Sequence, residues 1–180
     1  MFKSIMFNLN QGSLYIFLLT SFFCYAQENI FDVARTGSVE DVKVLMSINS
    51  DTINSVNSNG YLPLTLACYR GNDDVAIYLA SHVKHIDGTS DYGTPLMAAV
   101  YKNRPTIVEH LLKLKANPNA ADVNGTTPLH YAIILRSEEI IKLLMEANAD
   151  VNFKDNRGNT AIDYAAMTQN ESIIQLINKK

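Results

Sequence analysis

Apolar residues fall in doublets along three stretches of the chain. Val75-Ala76-Ile77-Tyr78-Leu79-Ala80, Ile107-Val108-Glu109-His110-Leu111-Leu112 and Ile140-Ile141-Lys142-Leu143-Leu144-Met145 place their apolar members at i, i+1, i+4 and i+5. That spacing follows one face of an α-helix. Ahead of each stretch runs a segment that opens on Leu62-Pro63-Leu64, Thr94-Pro95-Leu96 or Thr127-Pro128-Leu129. A threonine hydroxyl caps a helix, proline fits the first turn where no amide donor is missed, and leucine faces the core. The pattern predicts pairs of short helices. Between the pairs, Asn57-Ser58-Asn59-Gly60, Asp122-Val123-Asn124-Gly125 and Asp155-Asn156-Arg157-Gly158 read as hairpin tips.

The pairs recur. Thr94-Pro95-Leu96, Thr127-Pro128-Leu129 and Thr160-Ala161-Ile162 follow one another at spacings of 33, and Pro63 lies 32 residues before Pro95. Five units therefore start near residues 29, 63, 95, 128 and 161. Four residues after each start stand Val33, Ala67, Ala99, Ala132 and Ala165, small enough to let neighbouring units approach closely. A lone helix pair cannot bury its apolar face, so the units must stack. The fold class expected is all-α, a solenoid of five stacked helix-turn-helix units with short hairpin fingers. Leu111, Leu112, Ala132 and Leu144 are its expected core members.

These residues resemble the ankyrin repeat, whose period and Thr-Pro-Leu-His-x-Ala signature they share. Thr127-Pro128-Leu129-His130-Tyr131-Ala132 matches the signature fully, and the resemblance covers about residues 28 to 180. Leu62 replaces the capping threonine. Asn103, Arg136 and Gln169 stand where the family has the helix-ending glycine that Gly71 retains, and the finger from Asp87 to Tyr92 is irregular. The resemblance implies that Thr127, Pro128, Leu129 and His130 are a structural signature, with His130 hydrogen-bonding between units.

The resemblance also implies a protein that works by binding another protein through its concave face and fingers. Its contact positions lie at the hairpin tips and near the end of each inner helix. By register these are Arg35, Tyr69, Arg70, Tyr101, Lys102, Ile134, Leu135, Met167 and Thr168 on the helices, with Tyr61, Tyr92, Asn124 and Arg157 on the tips. Tyrosine and arginine are the residue types that anchor interfaces, and an exposed Ile134-Leu135 pair otherwise has no purpose. Basic residues at a helix C-terminus are stabilising without any partner. That account leaves the tyrosines and the apolar pair unexplained. Arg70 and Lys102 would favour an acidic partner.

Composition narrows the rest. The 180 residues are 47% hydrophobic and 18% charged with a net charge of −3, which excludes a disordered chain and gives no basis for binding nucleic acid. Lys3 is the only charge before Glu28, and Ser13 to Phe23 is nearly unbroken apolar sequence. Cys24-Tyr25-Ala26 then sets small residues three and one positions before a cut ahead of Gln27, the pattern of a secretory signal peptide over residues 1–26. Its apolar run would span about 16 Å as a helix, roughly half of a bilayer core. The expectation is an exported protein, periplasmic or secreted, that leaves the membrane after cleavage. An uncleaved anchor from Phe2 to Tyr25 is the alternative. The mature domain, residues 27–180, then has Cys68 as its one thiol and forms no internal disulfide. A monomer is favoured.

No motif for catalysis survives inspection, and no cofactor is expected. His82 and His85 lie three apart beside Asp87, a spacing that could hold zinc on one helical turn. With no second cluster within sequence reach, a metal-binding or hydrolytic protein centred on them is the rival reading, and a self-associating scaffold is another. The Asp- and Asn-rich turns lack the dense acidic spacing of calcium loops and read as turn chemistry.

Overall fold

A computed structural model describes residues 29–90 and 93–178. The leader expected over residues 1–26 and the fingertip Tyr92 lie outside the described residues. Among those described, the helices form five successive pairs. These are α1 (Ile30–Thr36) with α2 (Val39–Ile48), α3 (Pro63–Arg70) with α4 (Asp73–Ala80), and α5 (Pro95–Tyr101) with α6 (Pro105–Lys113). Then follow α7 (Pro128–Ile134) with α8 (Glu138–Glu146), and α9 (Ala161–Thr168) with α10 (Glu171–Asn178). The first helix of each pair packs on the first helix of the next, and the second on the second, giving an inner and an outer layer. The chain is the all-α repeat solenoid that its periodicity implies.

Local chemistry explains where the helices begin. Asn29 Oδ1 accepts from the backbone N–H of Phe31 and of Asp32, both at 3.0 Å. Thr94 Oγ1 accepts from Met97 N at 3.2 Å, and Thr160 exchanges bonds with Asp163 in a capping box. At Leu62, where no hydroxyl exists, no side chain caps α3. Prolines at the first turns of α3, α5, α6 and α7 leave no amide wanting.

Helix ends are equally specific. Gly71 turns the chain after α3 at φ +73, and a Cβ there would collide with the Arg104 guanidinium. Asn103, Arg136 and Gln169 adopt the same left-handed backbone at φ +52, +56 and +53. A non-glycine residue pays about 1–2 kcal/mol for that conformation. Two of the three gain a link to the next unit: Ser137 Oγ donates to Asn103 Oδ1 at 2.7 Å, and Arg136 Nη2 donates to the Thr168 carbonyl at 3.4 Å.

The core runs the length of the array. Val33, Ala67, Ala99, Ala132 and Ala165 are buried between inner helices, and Leu64, Leu96 and Leu129 beside them. From the outer layer come Val75 and Leu79, Ile107 and Leu111, Ile140 and Leu144. Leu112 is a correction: it packs against the core but is only half-buried. Each residue turns the helix by about 100°, so the position five after Ile107 falls at the edge of the apolar stripe.

Turn residues also join units. Asn54 Oδ1 accepts from Lys84 N at 2.9 Å, Asp87 Oδ1 from Asn117 N at 2.9 Å, and Asn119 Oδ1 from Asp150 N at 2.7 Å. The wealth of Asn and Asp thus does more than shape each turn. It stitches each turn to the one a unit away.

Candidate protein-binding face

The fingers rise from the inner layer on repeated anchors. Asn57, Asp122 and Asp155 each accept, through one side-chain oxygen, the backbone N–H groups two and four residues on, at 2.8 to 2.9 Å. Each also donates its own N–H to the carbonyl four residues on, at 3.0 to 3.1 Å. The finger of the third unit is tighter: Ser90 N bonds to Gly93 O, only three residues on. That is the physical content of its irregular sequence. Between the last two fingers, Asn156 donates through its backbone to Asn124 O and through its side chain to Val123 O, both at 3.0 Å.

Two fingers are tied down to their inner helices by tyrosines. Tyr131 donates its hydroxyl to Asp122 Oδ2 at 2.6 Å, and Tyr164 donates to Asp155 Oδ2 at 2.6 Å. Burial, and then the bond to Asp122, push the Tyr131 phenol up to about 12. The Tyr164 hydroxyl, with the backbone donors of Asn159 and Arg157, holds the buried Asp155 carboxyl below the usual carboxylate range.

Along the same face the inner helices present a row of rings. Tyr69 and Tyr101 lie nearly parallel, 9° apart with centroids at 6.3 Å, and Tyr131 meets Tyr101 edge-on at 6.1 Å. Tyr69 is 42% exposed and Tyr101 51%. Lys102 Nζ sits 4.5 Å from the Tyr69 ring centroid, a cation–π contact between adjacent units. Neither Arg70 nor Lys102 enters any ion pair among the described residues. Tyr61 and Asn124 close the row from the finger side, so four of the residues chosen from sequence, Tyr61, Tyr69, Tyr101 and Asn124, line one cleft of about 330 Å³, with Lys102 held over the Tyr69 ring; Arg70 is exposed at the end of α3.

The others are dispersed. Arg35 is held by Asp32 at 2.7 Å and is half-buried. Ile134 and Leu135 are exposed at the end of α7, and Met167 and Arg157 are exposed on the last unit. Sequence reasoning missed five residues of the cleft: Thr65, Met97, Ala98, Asp122 and Tyr131. For Tyr131 a signal existed, because it and Tyr164 each follow a finger aspartate by nine residues.

His130 bonds first within its own unit. Its Nδ1 accepts the Thr127 N–H at 3.0 Å inside its own unit, which puts the proton on Nε2. Nε2 has no partner of full hydrogen-bond geometry, although the Phe153 backbone of the next unit favours the protonated ring. The ring instead meets Tyr164 edge-on at 5.4 Å. Burial pulls its pKa below the ordinary value, against the smaller opposing pull of Asp155. His82 turns its Nδ1 to the Tyr78 carbonyl at 2.7 Å and stacks on the Tyr78 ring, while Asp87 is engaged by Asn117. Among the described residues no three His, Cys, Asp or Glu side chains converge on a metal-sized site.

A family model described as ankyrin repeats (3 copies) matches residues 30–122 and again 114–180. No curated protein matches the chain. The two matches span the whole described array, with its signature helix pairs and fingers, and the chain belongs to the ankyrin-repeat family.

Proposed function

We propose that the protein acts outside the cytoplasm as a non-catalytic binder of another protein, engaged by the concave face of the inner layer and the fingers. Ankyrin repeats generally mediate protein–protein interaction, and the family is typically non-enzymatic. The observation that carries the reading here is the row Tyr69, Tyr101 and Tyr131. Tyr69 and Tyr101, half open to solvent on successive units, offer anchors that the fold itself does not require, and Tyr131, held to Asp122, stands behind them. Arg70 and Lys102 beside them favour an acidic partner and speed its approach. Ile134 and Leu135 extend the surface with apolar area.

Export rests on the leader pattern, with the mature chain beginning at Gln27. N-terminal sequencing of protein from the producing cell reads this directly, and Met1 on cytosolic protein would refute it. For binding, the chain from Gln27 is used as bait in its native compartment. The captured partner should bind the Tyr69→Ala/Tyr101→Ala variant at least about tenfold more weakly. Unchanged helical content in the variant keeps the comparison valid. Equal affinity would move the binding surface off this face.

A further inference from the structure

Two rows of side chains run along the edge where the inner helices end. Tyr69, Tyr101, Ile134 and Met167 form one, a residue per unit at intervals of 32 or 33, and Arg70, Lys102, Leu135 and Thr168 form the other. All of these but Thr168 are exposed. The turns that close the helices are bonded to one another, so the edge is continuous. Arg104 Nη2 donates to Gly71 O at 3.4 Å, Ser137 Oγ to Asn103 Oδ1 at 2.7 Å, and Arg136 Nη2 to Thr168 O at 3.4 Å. Packed helices lie about 10 Å apart, so four units make a strip of about 30 Å.

The strip changes character half-way along. At the ends of α3 and α5 it is aromatic and cationic. Neither Arg70 nor Lys102 enters an ion pair among the described residues, and neither row contains an Asp or Glu. The Tyr69 ring, 4.5 Å from Lys102 Nζ, attracts the ammonium but carries no net charge to neutralise it. The helix dipole does not demand these cations, because Leu135 and Thr168 hold the same place at the ends of α7 and α9. On those two helices the strip is apolar. Ile134 is 50% exposed, Leu135 42% and Met167 63%. Apolar side chains scattered singly need no reason, but three on adjoining helix ends make a patch.

We propose that this strip takes one continuous segment of the partner, acidic at one end and apolar at the other. Its carboxylates lie over Arg70 and Lys102, and its large apolar side chains lie over Ile134, Leu135 and Met167. Opposite charge steers the acidic end and fixes which way the segment lies, while apolar burial holds the other end. This rests on the reading of the inner face as the partner surface and adds the chemistry that each half receives.

The probe is a displayed library of random peptides of about 20 residues, long enough to span about 30 Å even as a helix. It is selected on the purified chain from Gln27. The selected peptides should carry Asp and Glu towards one end and large apolar residues towards the other. Synthetic copies should bind at least about tenfold more weakly to Arg70→Ala/Lys102→Ala and to Ile134→Ser/Leu135→Ser. All four side chains are exposed, so both variants should keep the helical content and urea midpoint of the parent. Salt then separates the halves. Raising it from about 0.05 to 0.3 M should weaken binding to the parent and to Ile134→Ser/Leu135→Ser, but hardly to Arg70→Ala/Lys102→Ala.

Selected peptides that are basic, or that mix acidic and apolar residues without order, would overturn the assignment. So would a library without binders, unchanged affinity in either variant, or equal salt dependence in both. These failures stand apart from failure of the broader reading. A captured protein that still needs Tyr69 and Tyr101 leaves the partner face in place while the two-part strip falls.

Discussion

Leu111 and Leu112 are neighbours in one helix, yet their packing separates them. Leu111 is fully buried on α6, the outer helix packed between α4 and α8, whereas Leu112 only leans on the core. Changing each to alanine removes the same atoms and alters helix propensity by the same amount, so any difference in stability reports burial alone. Leu111→Ala loses the transfer energy of a whole side chain and leaves a cavity that the flanking helices cannot fully close, about 3–4 kcal/mol. Leu112→Ala loses roughly half the transfer energy and leaves solvent where the side chain was, about 1–1.5 kcal/mol. The difference should appear as separated midpoints in urea, about 1 M apart for a protein of this size. Far-ultraviolet circular dichroism is the right probe because the chain has no tryptophan. Equal losses from the two variants, or a larger loss at Leu112, would refute the stripe geometry described above.

Tyr131 should lose its proton late in an alkaline absorbance titration, with a step near its value of about 12 that is missing in Tyr131→Phe. Over the interval above the ordinary phenol value of about 10 the unfolded chain has released that proton and the folded chain has not. The contribution to stability, complete below that interval, is therefore lost as pH rises through it. Cys68 is buried and burial pushes its thiol pKa up, so a disulfide reagent should label it only as the protein unfolds. Immediate labelling of the folded chain would contradict that burial. His130 has its pKa lowered by burial, so the unfolded chain takes up a proton that the folded chain refuses. Stability should decline as pH falls below about 6.5, and His130→Gln should flatten that slope in urea midpoints measured from neutral to mildly acid pH.

The repeat was legible because its signals are local. Pro95, Pro128 and the threonines before them fix helix starts within four residues, and the apolar doublets need only one turn of helix to declare a face. The proposed binding face was half legible: register brought Tyr69, Tyr101 and Lys102 into line, since stacking repeats sequence as space. What escaped depends on distances that no local pattern holds. Thr65 reads as an ordinary inner-helix residue until its hydroxyl is seen to be buried without a partner. Asp87 reads as a companion of His85 until Asn117, 30 residues on, is seen to claim it. Arg35 was different, for its partner Asp32 lies one turn away and could have been weighed against the interface reading.

The tight finger at Ser90–Gly93 closes one residue earlier than those anchored by Asn57, Asp122 and Asp155, while the helices on either side of it keep their caps and burial. The length of a unit is therefore decided at the tip, where a changed loop alters closure by a fraction of a kcal/mol. One residue added inside α5 would instead rotate every later position of that helix by about 100° and turn its core face outward. In genetic terms, an in-frame codon gained or lost is ruinous in the helices and nearly silent to folding in the fingers. The same codon, at the tip, changes the contour presented to a partner. Insertion and deletion are thus a channel through which this array can alter what it recognises without renegotiating how it folds.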